Sequence, residues 1–170
     1  MERCRTRGCE TATVTGPTLD LPSYDPSVSH RVPAALRLIE LFRRCEGVIV
    51  ATPSYHGGCS GLIKNALDYV EDMAGDARPY LQDRPVGIVV TAYGAQGMGT
   101  ALSALRSVVH ALRGWPTPYA AAINSADRPF DAETPPGAVA AQIATVADQV
   151  TDFVFMRRAA VAPASPEEGT

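Results

Sequence analysis

The chain has 170 residues and a formal net charge of −3, with 46% hydrophobic and 19% charged residues. That length and balance fit one globular domain with a sizeable buried core, and the mild negative charge gives no ground for binding nucleic acid or an anionic membrane. No apolar run approaches the length of a bilayer span and the Met-Glu-Arg-Cys-Arg-Thr-Arg start carries no signal core, so a cytoplasmic location is expected, with 1–160 as one domain.

The four cysteines, Cys4, Cys9, Cys45 and Cys59, match no zinc or iron–sulfur spacing and no secreted disulfide framework, and no metal site is expected. Cys45 reads as a small buried hydrophobe at a helix end. Fourteen arginines stand against a single lysine, Lys64.

In chain order, residues 1–10 read as the last turns of a helix stopped by Gly8. Thr11-Ala-Thr-Val-Thr15 is strand-like, broken by Gly16-Pro17, and a Pro- and Asp-containing loop follows from Thr18 to Ser29. Val32–Cys45 is a helix with Pro33 in its first turn, burying Ala35, Leu38, Ile39 and Phe42 on one face. Gly47–Thr52 has the β-branched run of an interior parallel strand, and Pro53 should stop it. A Gly-rich loop leads to a helix over Ser60–Asp72 with Leu62, Ala66, Leu67 and Val70 inward.

Pro85–Thr91 is a second core strand, ending in the Gly-rich loop Ala92–Gly99 and a helix starting near Thr100. Gly114-Trp-Pro-Thr-Pro118 turns the chain into a third strand, Tyr119–Ile123. A terminal helix runs from Pro136 to near Arg158 with Val139, Ile143, Val146 and Val150 inward, and 161–170 is expected to be a disordered tail. Strands alternating with helices define an α/β class: a doubly wound parallel sheet in three α/β/α layers.

Both Gly-rich loops follow core strands, so both should project from one sheet edge, where open α/β sheets bind ligands. The first offers backbone N–H groups near Gly57 and Gly58, flanked by Tyr55 and His56; the second offers Gly94, Gly97 and Gly99 with Tyr93 and Gln96. A planar cofactor held between them accounts for the pair. Gly-rich turns are also ordinary in such folds, so either loop alone is equally consistent with a structural role. His56 has no acidic neighbour in sequence to orient it, and no acid–base side chain is assigned. Lys64 reads either as a wanted ammonium or as a solvated surface residue paired with Asp68.

Ala51-Thr-Pro-Ser-Tyr-His-Gly-Gly-Cys-Ser-Gly-Leu-Ile-Lys-Asn-Ala-Leu-Asp68 resembles the signature of the NADPH-dependent FMN reductase family. Leu19–Asp25 is similar to that family's loop after its second strand, and Tyr93–Gly99 to its second flavin loop. The resemblance implies a flavodoxin-like fold, FMN as cofactor and NADPH or NADH as hydride donor. It further implies a flavin, quinone or similar small-molecule acceptor, and a homodimer or homotetramer. It assigns Pro53, Ser54, Tyr55, His56, Gly57, Tyr93, Gly94, Gln96 and Gly97 to the flavin site, with the chemistry carried by the flavin. Lys64 and Asn65 match positions of the same motif, whose helix contributes to subunit contact in the family. The alternative is a non-catalytic, flavodoxin-like interaction or redox-partner protein.

The family's opening strand and its Gly-Ser-x-Arg-x-x-Ser phosphate loop have no counterpart here, and Thr13–Pro17 lacks the arginine and the serines. Either the start lies downstream of the family's, residues 1–8 being the tail of the first helix, or the chain is a truncated form. The strand at Thr11 would in both cases lose its expected neighbour.

Overall fold

The computed structural model describes residues 1–127, 130 and 137–161. Its frame is a parallel sheet with β3 (Pro85–Ala92) at the centre. On one side β3 pairs with β1 (Val48–Tyr55) from Val48↔Val86 to Pro53↔Thr91. On the other it pairs with β4 (Trp115–Pro116) and then β5 (Ala121–Asn124). Being covered on both faces, β3 is buried along nearly all its length, as its continuous Val/Ile run requires. β2 (Gly58–Cys59) folds back on β1 as a short antiparallel hairpin.

The helices form the outer layers. α2 (Pro33–Arg44), α3 (Gly61–Asp68) and α4 (Ala95–Ala111) enclose a core that includes Leu38, Ile39, Leu67, Val70, Ile88, Val90 and Leu105. α5 (Gly137–Val161) covers the other face, with Val146 packed against Val89, Ala121 and Ile123. Gly47 and Gly87 let α5 approach: a Cβ at Gly87 would stand 2.5 Å from Val146 Cγ1 and 2.8 Å from Val150 Cγ2. α1 (Glu2–Thr6) lies against α5 through Arg3 and Arg7, which pair with Asp148, and Arg7 also meets Asp152.

Arg84 is 1% exposed and has no carboxylate as hydrogen-bond partner among the described residues. Its guanidinium donates to the Arg43, Cys45 and Tyr80 carbonyls at 2.9–3.0 Å. Carbonyls left over at the end of α2 and in the connector before β3 are thereby satisfied. The loop before α2 is held differently. Asn65 accepts from Tyr24 N–H and donates to the Leu21 and Pro22 carbonyls, while Arg31 lies over Tyr24 and Tyr69 and forms a fork with Asp72. Hydrogen bonding to Arg31 holds the Asp72 carboxyl below the usual carboxylate range, against the opposing effect of its partial burial.

Several boundaries differ from the sequence expectation. Thr11–Thr15 is not a strand. The edge of β1 opposite β3 carries no strand along Val48–Pro53 among the described residues, so no ladder extends outward to Thr11. Its polar groups turn to local partners instead, Arg5 donating to Thr11 Oγ1 at 2.7 Å and Thr18 Oγ1 donating to the Thr15 carbonyl at 2.6 Å. β1 also runs through Pro53 to Tyr55 rather than stopping at Thr52; a strand with one open edge tolerates a residue lacking an N–H. α3 ends at Asp68 and continues as a 3-10 turn over Tyr69–Met73, where Tyr69, Val70 and Met73 are buried. Trp115-Pro116, read as a turn, pairs with β3. The expected tail at 161–170 lies, beyond Val161, outside the described residues.

Candidate functional site

Because β1 and β3 are parallel, their carboxyl ends open at the same sheet edge. After β1 the chain reverses through His56 and Gly57, with φ of 51° and 83°. Positive φ at both central positions is the signature of a type I′ hairpin turn, and glycine meets it without strain. The hairpin tip reaches α4: a Cβ on Gly57 would stand 3.6 Å from the Thr100 side chain.

After β3, Gly94 (φ 100°) turns the chain at once into α4, so the helix begins at Ala95 rather than near Thr100. The second loop is thus only Tyr93-Gly94, and Gln96, Gly97 and Gly99 occupy the opening turns of the helix. Sequence reading placed them in a loop because glycine costs about 1 kcal/mol relative to alanine inside a helix. Gly97 packs between the two walls, where a Cβ would stand in ordinary van der Waals contact with Ala92 Cβ at 3.4 Å and Ser54 Oγ at 3.6 Å.

His56, Gly57, Tyr93, Gly94, Ala95, Gln96, Gly97 and Thr100 line one concavity of about 530 Å³. Six of these residues were anticipated from sequence; Ala95 and Thr100 were not, because the helix start was set five residues too late. Of the other anticipated residues, Pro53 lies in the ladder opposite Thr91, behind the opening. Ser54 joins the walls, its Oγ donating to the Gly97 carbonyl at 3.0 Å. Tyr55 is 60% exposed beside the turn, and Tyr93 is 87% exposed. An aromatic ring so exposed at the mouth of a concavity is available to cover a flat ligand.

Gly94 N–H is directed to Asn124 Oδ1 at 3.4 Å, and that oxygen also accepts from Ala126 N–H at 3.1 Å. The end of β5 is thereby coupled to the site rim. α4 has no side-chain N-cap bond, so its first N–H groups remain available where it borders the concavity. Lys64 pairs with Asp68 on the exposed face of α3, the solvated arrangement, while Asn65 anchors the Tyr24 loop. Burial pushes the Cys59 thiol up, away from nucleophilic use. Among the described residues no group of His, Cys, Asp and Glu could hold a metal, and no helix is long and apolar enough to cross a membrane.

These features fit the ring of a planar heteroaromatic cofactor: backbone at Gly57, Gly94 and Gly97 along the walls, and the exposed Tyr93 ring at the mouth. Among the described residues no lysine or arginine lines the concavity to meet a phosphate, and the Thr15–Thr18 turn closes upon itself through Thr18 Oγ1.

The fold is that of a flavodoxin-like α/β protein, with the concavity at the carboxyl ends of β1 and β3. The solved flavoenzyme NAD(P)H:(acceptor) oxidoreductase FerB from Paracoccus denitrificans superposes with a TM-score of 0.60 at 23% identity, over 82% of this chain and 76% of that one. The model of the family described as NADPH-dependent FMN reductase matches residues 1–128, and the chain belongs to that family. It is 33% identical over 89 residues to an NADPH azoreductase of a Bacillus species, covering 52% of this chain and 47% of the relative. With an FMN-dependent NADPH-azoreductase of Staphylococcus aureus it shares 31% identity over 109 residues, 64% of this chain and 54% of the relative. The chain therefore spans about half the length of these relatives.

Proposed function

We propose that the protein is an NAD(P)H-dependent flavin oxidoreductase that holds the FMN ring between the β1–β2 hairpin and the start of α4. The observation that carries this reading is the convergence of His56-Gly57 and Tyr93–Gly97 on one concavity, with glycines where the backbone must approach. Family membership supplies the class of chemistry.

The FMN held there would supply hydride transfer from NADPH or NADH and electron delivery to a flavin, quinone, azo compound or similar small molecule. The chain's part is to position. Gly57, Gly94 and Gly97 let main chain approach the ring plane, and the Ser54–Gly97 bond fixes the spacing of the two walls. The free N–H groups opening α4 favour electron density on the ring atoms nearest them. Tyr55 and Tyr93 cover the exposed side and exclude water. Pro53 stiffens the strand end behind the ring, and Gln96 offers an amide at the rim. No side chain is assigned proton transfer.

The whole enzyme acts in the cytoplasm as a homodimer or homotetramer, with the exposed faces of α3 and its neighbours in the subunit contact. NADPH oxidation by purified protein supplemented with FMN and an azo or quinone acceptor tests the activity. Acceptor-dependent turnover that falls with Gly97→Val supports it. A colourless protein that neither takes up FMN nor consumes NADPH refutes it in favour of a non-catalytic partner role.

A further inference from the structure

The end of α1 closes with a motif whose two contacting positions are both cysteine. Gly8 adopts φ 82°, its N–H donates to the Arg5 carbonyl at 2.9 Å, and Cys9 N–H donates to the Cys4 carbonyl at 3.1 Å. Paired bonds around a left-handed glycine are the Schellman helix stop, and this stop brings the residue after the glycine against the residue one turn back in the helix. In most chains that contact is between two apolar side chains. Here those two positions are held by Cys9 and Cys4, joined by the backbone bond from Cys9 N–H to the Cys4 carbonyl. The backbone bond already closes the segment that a disulfide would span, so joining the sulfurs requires little further ordering of the chain.

We propose that Cys4 and Cys9 are a thiol oxidation site, forming a reversible disulfide across the stop of α1 when the chain meets a hydroperoxide. The roles follow from the surroundings. Cys9 is half-buried and the more accessible of the two sulfurs, so it is the one that meets the peroxide and attacks first. Cys4 is 6% exposed, and burial raises its thiol, which suits the second step rather than the first. In the first step the Cys9 sulfur bonds to the terminal peroxide oxygen, the O–O bond breaks, and the alkoxide or hydroxide leaves and is protonated. In the second the Cys4 sulfur displaces the oxygen of the Cys9 sulfenic acid as water. Two thiols and one hydroperoxide give one disulfide, one alcohol or water, and one water. Cys45 and Cys59 lie apart, at the end of α2 and in β2, and neither is placed by such a motif. A transient disulfide of this kind is compatible with a reducing compartment, where stable structural ones are rare.

Peptide mapping of the reduced full chain after treatment with one equivalent of hydrogen peroxide tests the assignment. The peptides carrying Cys4 and Cys9 should become joined with loss of two hydrogens, revert with dithiothreitol, and leave Cys45 and Cys59 open to alkylation. Cys4→Ser should instead leave Cys9 trappable by dimedone as the sulfenic acid. The assignment is overturned if Cys4 and Cys9 both remain alkylatable at peroxide levels that oxidise Cys59, or if Cys9 pairs with any residue other than Cys4.

Discussion

At the scale of residues, the site depends on what is absent from Cα as much as on what is present. The would-be Cβ of Gly97 already stands in van der Waals contact with Ala92 Cβ at 3.4 Å and Ser54 Oγ at 3.6 Å, so the methyls of a branched side chain would take up space between the two walls. Gly97→Val is expected to weaken FMN binding at least about tenfold, equivalent to about 1.4 kcal/mol, while the melting temperature moves little because the change lies at the rim. Fluorescence titration and a thermal scan of the same preparation check both parts. Arg84 lies at the opposite end of the strands, where its guanidinium ties main-chain carbonyls together. Replacing it by Met strands three carbonyl acceptors, each worth about 1–3 kcal/mol when buried and unpaired. Urea unfolding of Arg84→Met should show a loss of at least about 3 kcal/mol. Asp72 carries a pH dependence of definite sign. Its carboxyl is held low in the folded chain by Arg31, so the stabilisation is fully present above the unfolded carboxylate pKa and is lost as pH falls through the folded value. Asp72→Asn should lower stability near neutrality and flatten the acid limb of a pH–stability curve.

Among the elements, those whose residues announce a burial pattern were legible in the sequence. α2 shows its Ala35, Leu38 and Ile39 stripe, and β3 its unbroken apolar run. The two loops after β1 and β3 were also legible as a pair, since parallel strands force their ends together. Misreadings came where tertiary contact outweighed local preference. Gly97 and Gly99 suggest a loop by propensity, yet they lie in α4 because Gly94 turns the chain sharply after β3. Pro53 suggests a strand end, yet β1 carries it beside an open edge. Thr11–Thr15 has strand composition and forms none, because a strand is defined by its neighbour rather than by its own residues. The docking of α5 also belongs to this scale. A methyl at Gly87 would overlap Val146 Cγ1 at 2.5 Å, so Gly87→Ala should cost about 1–3 kcal/mol by overpacking. Chemical denaturation of that variant, with Val146→Ala added to restore space, measures it: partial recovery in the double variant is expected.

For the whole molecule, the sheet separates two tasks. The amino ends of β1 and β3 are fixed by Arg84 and by α5, while the carboxyl ends carry the hairpin, the α4 start and the concavity between them. On the proposed function, that division suits a flavin enzyme, in which the flavin would perform the chemistry and the protein would hold it still. Ring contacts are furnished by the described residues; a phosphate cradle is not among them. The most direct measurement is a titration of the purified chain with FMN, following flavin fluorescence and the visible absorption bands. Saturable quenching with a shifted, structured flavin spectrum in the unmodified chain, weakened in Gly97→Val, is the predicted result. Unquenched fluorescence and an unaltered flavin spectrum up to saturating protein would contradict the placement of the flavin ring at this edge.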